Sequence, residues 1–297
     1  MYKNDIQAHL YVLLATFLVA GSFIASEKLS TILNPFSLTL LRFVGGIVIL
    51  APFILLNKKL RAQILSTLPR ASIISLFYAF YFVGMFEALK TTTVLNTGSL
   101  YTLVPLLTAV FAFFIFKEKI SFKKFVVYII GLIGTLWVIF KGNTDLLMAF
   151  SLNSGDYIYL LGCLSMCAYS ISIKLLYKDD NIWVLVFSTL IGGAFWMSLF
   201  MIILQEPLAW NLIQGNLVFN MAYLIIATTI VTLYLYQKTT VYLGPNKVMS
   251  YIYLNPIAVA LLLFIIEKEV IDLIVVPGII ITSIATIILQ INKKRIT

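Results

Sequence analysis

Leu103 to Glu118 reads LVPLLTAVFAFFIFKE, and 151 residues later Leu254 to Glu269 reads LNPIAVALLLFIIEKE. Seven of the sixteen positions coincide: Leu103 with Leu254, Pro105 with Pro256, Ala109 with Ala260, Phe113 with Phe264, Ile115 with Ile266, Lys117 with Lys268 and Glu118 with Glu269. Apolar matches inside apolar runs carry little information. A proline followed in fixed register by a Lys-Glu, twice, marks an internal duplication.

The duplication extends outward from this stretch. Gly21–Leu29 (GSFIASEKL) resembles Cys167–Leu175 (CAYSISIKL), and Gly45-Gly46 and Gly192-Gly193 fall at nearly the same offset. Paired glycines inside a span point to close helix packing. The chain is therefore expected to divide into two five-helix halves, 1–143 and 155–297, joined near Thr144 to Gly155.

Of 297 residues, 61% are hydrophobic and 11% charged, with a mean hydropathy of +1.02. Soluble domains carry about a quarter charged residues. Apolar runs of the length that crosses about 30 Å of hydrocarbon as a helix recur from end to end. Ten are marked, at 8–26, 36–56, 72–89, 97–116, 125–140, 157–176, 182–204, 217–236, 248–266 and 273–291. Helices satisfy their own backbone in lipid, and the alternating ten-residue segments of a barrel are absent, so the fold class is all-α integral membrane.

The net charge of +9 sits in short clusters between apolar runs, which fits membrane topology and gives no face for nucleic acid. Sixteen Lys and Arg fall in one set of alternate connections; Lys28, Lys90, Lys141 and Lys268 fall in the other, and Arg42 lies within a span. The positive-inside rule places both termini in the cytoplasm. Because five spans per half is odd, the second half crosses in the opposite sense, giving an inverted repeat, the geometry that underlies alternating access.

Motifs for enzymatic chemistry are missing: there is no HExxH, Walker loop or Gly-x-Ser-x-Gly. Cys163 and Cys167 form neither a disulfide framework nor a zinc site. No cofactor or metal is expected, and the partners expected are the lipid bilayer and a small-molecule metabolite, with a homodimer left open.

Particular residues then resemble a known family. Arg42-Phe43, Ala88-Leu89, Pro105, Lys117-Glu118 and Gly131-Leu132-Ile133-Gly134 resemble the first repeat of the EamA family in the drug/metabolite transporter superfamily. Tyr242-Leu243-Gly244, Pro256 and Lys268-Glu269 match its second, so that the likeness runs from about Tyr11 to Leu289. Ala20-Gly21 stands where the family has Trp-Gly, and Thr282 where it has Gly. The resemblance implies a ten-helix carrier with a central cavity built from both halves, moving small metabolites, often amino acids, commonly outward across the cytoplasmic membrane. Uptake or exchange of another metabolite, such as a nucleotide-derived cofactor, fits the same scaffold.

Pro105 and Pro256 each remove an N–H and are expected to kink their spans as hinges. Glu118 and Glu269, at helix C-termini where a carboxylate opposes the dipole, are expected to serve structure at the gate ends. Substrate contacts are expected from mid-span tyrosines, Tyr78, Tyr81, Tyr101, Tyr169 and Tyr251, together with Asn255 and Arg42. Glu27, Lys28, Arg42, Glu87 and Lys90 are expected to form a partly buried ion network. For Arg42 two partners are open, Glu27 or Glu87 of the protein or an anionic group of the substrate, with the internal pair favoured.

Overall fold

The computed structural model describes residues 3–92, 94–117, 121–140, 142–148, 152–267 and 273–290. In chain order the helices are α1 (Lys3–Ser30), α2 (Pro35–Leu56), α3 (Lys58–Arg61), α4 (Ile64–Ala88), α5 (Val94–Tyr101), α6 (Val104–Phe116), α7 (Phe122–Ile139) and α8 (Thr144–Met148). There follow α9 (Ser154–Leu176), α10 (Ile182–Leu204), α11 (Asn216–Ile225), α12 (Thr232–Leu243), α13 (Pro245–Ser250), α14 (Asn255–Glu267) and α15 (Val276–Gln290). A π-helical stretch, Ile226–Val231, joins α11 to α12, and a 3-10 turn, Tyr251–Leu254, joins α13 to α14.

Grouped by continuity, and leaving aside the short α8 and a 3-10 turn at Trp210–Leu212, the described residues form ten helical stretches. Seven of them are long and apolar enough to cross a membrane, and Val104–Phe116 is apolar but shorter. The expected fourth and ninth spans are each interrupted. Pro105 follows a turn at Thr102-Leu103, and Pro256 follows the 3-10 turn, so both prolines occupy the first turn of a new helix. There the missing N–H is no loss. The expected kinks are thus helix breaks. At the first break the thiols of Cys163 and Cys167 reach the carbonyls of Leu100 (3.7 Å) and Val104 (3.6 Å).

Polar residues close the helix ends. Asn34 accepts from the Ser37 N–H at the start of α2, and Asn153 and Asp156 form a reciprocal capping box at the start of α9. Lys117 (φ 54°) ends α6 and Gln205 (φ 54°) ends α10, both left-handed. Glu118 and Glu269 lie outside the described residues.

Packing follows the duplication. α4 lies along α9 as α12 lies along α1, and α6 meets α9 as α14 meets α1. α2 pairs with α10 and α7 with α15, each helix with its own counterpart. The α2–α10 pair is antiparallel, since Phe36 near one end meets Phe200 (6.1 Å) and Phe53 near the other meets Trp183 (5.8 Å). All four paired glycines sit in such contacts, as expected: Gly45 against Ile225, Gly46 against Leu190, Gly192 against Ser72 and Gly193 against Phe43. In α15, Thr282 packs on Gly134 and turns its hydroxyl back to the Gly278 carbonyl (3.0 Å), which is how a threonine is accommodated there.

Cross-links sort the helix ends into two groups. Asp5 and Tyr242, Gln63 and Asn181, and Lys247 and Gln290 meet at one end, alongside Lys58, Lys59 and Arg61. Asn34 and Pro207, Thr92 and Asp156, and Trp137 and Ile274 meet at the other.

Candidate functional site

At the centre of the bundle Arg42 of α2 is fully buried. Five N–H bonds radiate from a guanidinium, and each needs an acceptor once water is gone. Nε donates to Thr229 Oγ1 (3.0 Å), and Nη2 donates to Thr228 Oγ1 (3.2 Å) and to the Thr228 carbonyl (3.3 Å). The two threonines are set for this, because each donates its own hydroxyl proton to the Leu224 carbonyl, at 3.0 and 2.7 Å, leaving lone pairs for the arginine. A π turn is wider than an α turn and often marks a functional position. Here it turns Thr228 and Thr229 together toward α2.

Nη1 meets no acceptor among the described residues. The guanidinium carbon lies 3.8 Å from the Phe82 ring centroid and 5.8 Å from that of Phe86, so the cation is roofed by aromatic faces. Among the described residues no carboxylate is paired with it. Glu87 is bonded to Lys90 (2.7 Å) on an exposed surface, and Glu27 is exposed. The internal pair favoured from the sequence, and the wider ion network, are therefore corrected: at helical register these acids sit at the end of their spans, and Arg42 lies deeper.

Four of the expected tyrosines gather around this point. Tyr78 stacks on Phe43 (6.0 Å), meets Phe82 edge-on (4.7 Å) and packs on Tyr169 (4.7 Å). Tyr81 packs on Tyr101 (5.7 Å), and both approach Tyr159, at 6.4 and 6.5 Å. Tyr251 stands apart, its hydroxyl 2.8 Å from His9 Nδ1. Asn255 is buried at the head of α14, its amide making no hydrogen bond with a described residue. Sequence reasoning missed Tyr159, Phe82, Thr228 and Thr229. The Thr228-Thr229-Thr232 group, three hydroxyls on one face of an apolar run, was the available signal.

The arrangement is a buried cluster of aromatic rings around one cation, whose Nη1 has no acceptor among the described residues. It suits an oxyanion attached to an apolar body, and among the described residues it contains neither a nucleophile–base pair nor a metal-binding group.

The sequence matches the EamA-like transporter family twice, over residues 6–140 and 153–291. The chain belongs to the EamA-like transporter family. This EamA protein is 24% identical over 188 residues to the "Uncharacterized transporter YyaM" of Bacillus subtilis (strain 168). That match covers 63% of the chain and 60% of the relative's length. It also resembles a protein of known crystal structure with a TM-score of 0.75 at 19% identity, over 98% of this chain and 99% of the other, a likeness of fold. EamA membership and the apolar helices make it a multi-pass membrane protein and point to a transporter rather than an enzyme.

Proposed function

We propose that this EamA protein is a secondary carrier that moves small carboxylate-bearing metabolites, amino acids or compounds like them, outward across the cytoplasmic membrane. The carrying observation is Arg42. Placing a cation at mid-span costs about 2.5 to 3.5 kcal/mol on insertion scales. Among the described residues no acid offsets that, and Nη1 has no acceptor. A substrate carboxylate supplies the missing charge, with Phe82, Tyr78 and Tyr169 beside its apolar part.

The pairing of α2 with α10, antiparallel counterparts, is what supports a reading by alternating access. Ten crossings with inverted halves, and both termini on the lysine-rich cytoplasmic side, complete the reading. Substrate binding lets Arg42 share its charge, and the two halves exchange packings around it.

The test is counterflow in liposomes containing the purified protein and a panel of labelled amino acids. Saturable exchange of a carboxylate solute, absent for its amide-capped analogue and absent in Arg42→Gln, is expected. Equal exchange of acid and amide, or an active Arg42→Gln, overturns recognition through Arg42.

A further inference from the structure

A second cation lies on the helical rod that carries Thr228 and Thr229, the partners of Arg42, at the end of the bundle where Asp5 and Tyr242 meet. Between the start of α1, the α9–α10 link and the last turns of α12 is a cavity of about 360 Å³, lined by Gln7, Ala8, Tyr11, Tyr177, Lys238 and Tyr242 among others. Lys238 is half-buried there. Its Nζ donates to the Tyr234 hydroxyl (3.1 Å) and lies 4.9 and 5.2 Å from the ring centroids of Tyr11 and Tyr234. Trp183 stacks on Tyr234 from behind at 4.2 Å, which fixes that ring. Tyr11 is held by Gln7 Nε2 at 2.6 Å.

An exposed lysine needs no explanation, but this one is clamped between two rings with no carboxylate paired to it among the described residues. The nearby acid, Asp5, accepts from Tyr242 at 2.8 Å instead. An ammonium held by neutral phenols keeps its full charge and its remaining donors, and faces a cavity with aromatic walls; Arg42 too is a cation set against aromatic rings. Lys238 follows Thr229 by nine residues, roughly 13 Å at helical rise. Between them Thr232, Leu233, Leu235, Tyr236 and Gln237 are buried.

We infer that this cavity is a second, outer binding site, where Lys238 receives the carboxylate of the solute before it passes to Arg42. The inference rests on the proposed carrier function. A small organic acid with an apolar tail fits it, the carboxylate on Nζ and the tail against Tyr11 and Tyr177. A cation at the end of the bundle and another at its centre give the anion a relay along this rod, Lys238 standing about 13 Å of helical rise from Thr229, which holds Arg42.

The experiment is equilibrium binding of 3-phenylpropionate to the full-length protein in nanodiscs of phosphatidylcholine, with 3-phenylpropanol as the uncharged control. Arg42→Gln is expected to retain binding, and Lys238→Gln added to it is expected to weaken that binding about tenfold or more. Lys238→Arg should keep it, and 3-phenylpropanol should not distinguish the variants. Val241→Trp fills the cavity and leaves Lys238 in place, so it should mimic Lys238→Gln in a protein whose unfolding temperature is unchanged. If Arg42→Gln alone abolishes all binding, the outer site is overturned while the central one stands. If Lys238→Gln abolishes binding and Arg42→Gln changes nothing, the outer site stands and the central reading fails. Loss of the Lys238-dependent binding on adding phosphatidylglycerol assigns the cavity to a lipid headgroup and overturns the solute site.

Discussion

Gly193 faces Phe43 so closely that a Cβ on the glycine would lie 2.5 Å from the ring, and Gly46 faces Leu190 at 2.9 Å. Gly46 and Gly193 are equivalent positions in the two repeats, as are Phe43 and Leu190. The two contacts are one contact made twice, about a twofold axis between α2 and α10. Both residues are fully buried, and they differ in what can yield: Leu190 can turn a methyl away, whereas Phe43 is a rigid ring stacked on Tyr78. Gly193→Ala is therefore expected to destabilise by about 1 to 3 kcal/mol, and Gly46→Ala by less than half as much. Thermal unfolding of the detergent-solubilised protein measures both. Equal losses would mean that Phe43 moves as freely as Leu190.

A latch at the lysine-rich end joins the halves. Asp180 accepts from Arg70 Nη2 at 2.8 Å and from Thr67 Oγ1 at 2.9 Å, while Arg70 Nη1 reaches the Leu176 carbonyl at 3.3 Å. The Asp180 side chain is 7% exposed, so the pair is less screened than an ordinary surface bridge. Asp180→Asn should lower stability by about 1 to 2 kcal/mol. Exchange of the pair, Arg70→Asp with Asp180→Arg, should recover part of it. An unfolding curve for Asp180→Asn that overlays the wild type would show the latch to be idle.

The scaffold was legible because lipid leaves the backbone one solution and charge sorts the loops. Of the basic clusters behind the expected topology, Lys58, Lys59 and Arg61 lie at the end where Asp5 and Tyr242 join. The duplicated prolines marked the right places, although each starts a helix instead of bending one. Half of the site was hidden by changes of helical period. Tyr251 opens a 3-10 turn, whose three residues per turn carry it out of phase with the other tyrosines and toward His9. Thr228 and Thr229 reach Arg42 through a π turn, and nothing in residue spacing announces a contact across 186 or 187 positions.

The π turn has a consequence of its own. Thr229→Val keeps the shape of the side chain and removes the acceptor of Arg42 Nε, leaving the guanidinium held by Thr228 alone. The arginine then loses its fixed angle rather than its charge. About a tenfold rise in KM for counterflow is expected, on the order of one charge-assisted hydrogen bond, with maximal rate much less affected. Thr229→Ser, which restores the oxygen, should return KM most of the way. A KM indifferent to both changes would detach the π turn from recognition.

Arg42→Met separates a cation kept for substrate from one kept for the fold. Methionine fills similar length with apolar, flexible atoms suited to the contacts of Phe82 and Phe86. Its arrival strands nothing, because Thr228 and Thr229 still donate to the Leu224 carbonyl and lose only what their lone pairs accepted. Removing a buried charge that has no carboxylate among the described residues relieves desolvation, and replacing buried ionic groups by apolar ones is often neutral or stabilising by about 1 to 4 kcal/mol. The variant should therefore insert, unfold at the wild-type temperature or above it, and fail to exchange any carboxylate solute. Should Arg42→Met instead unfold well below the wild type, the guanidinium is what holds the π turn against α2, and its free Nη1 edge is incidental to transport. Stable, inactive protein is the result that places the substrate's anion at Arg42.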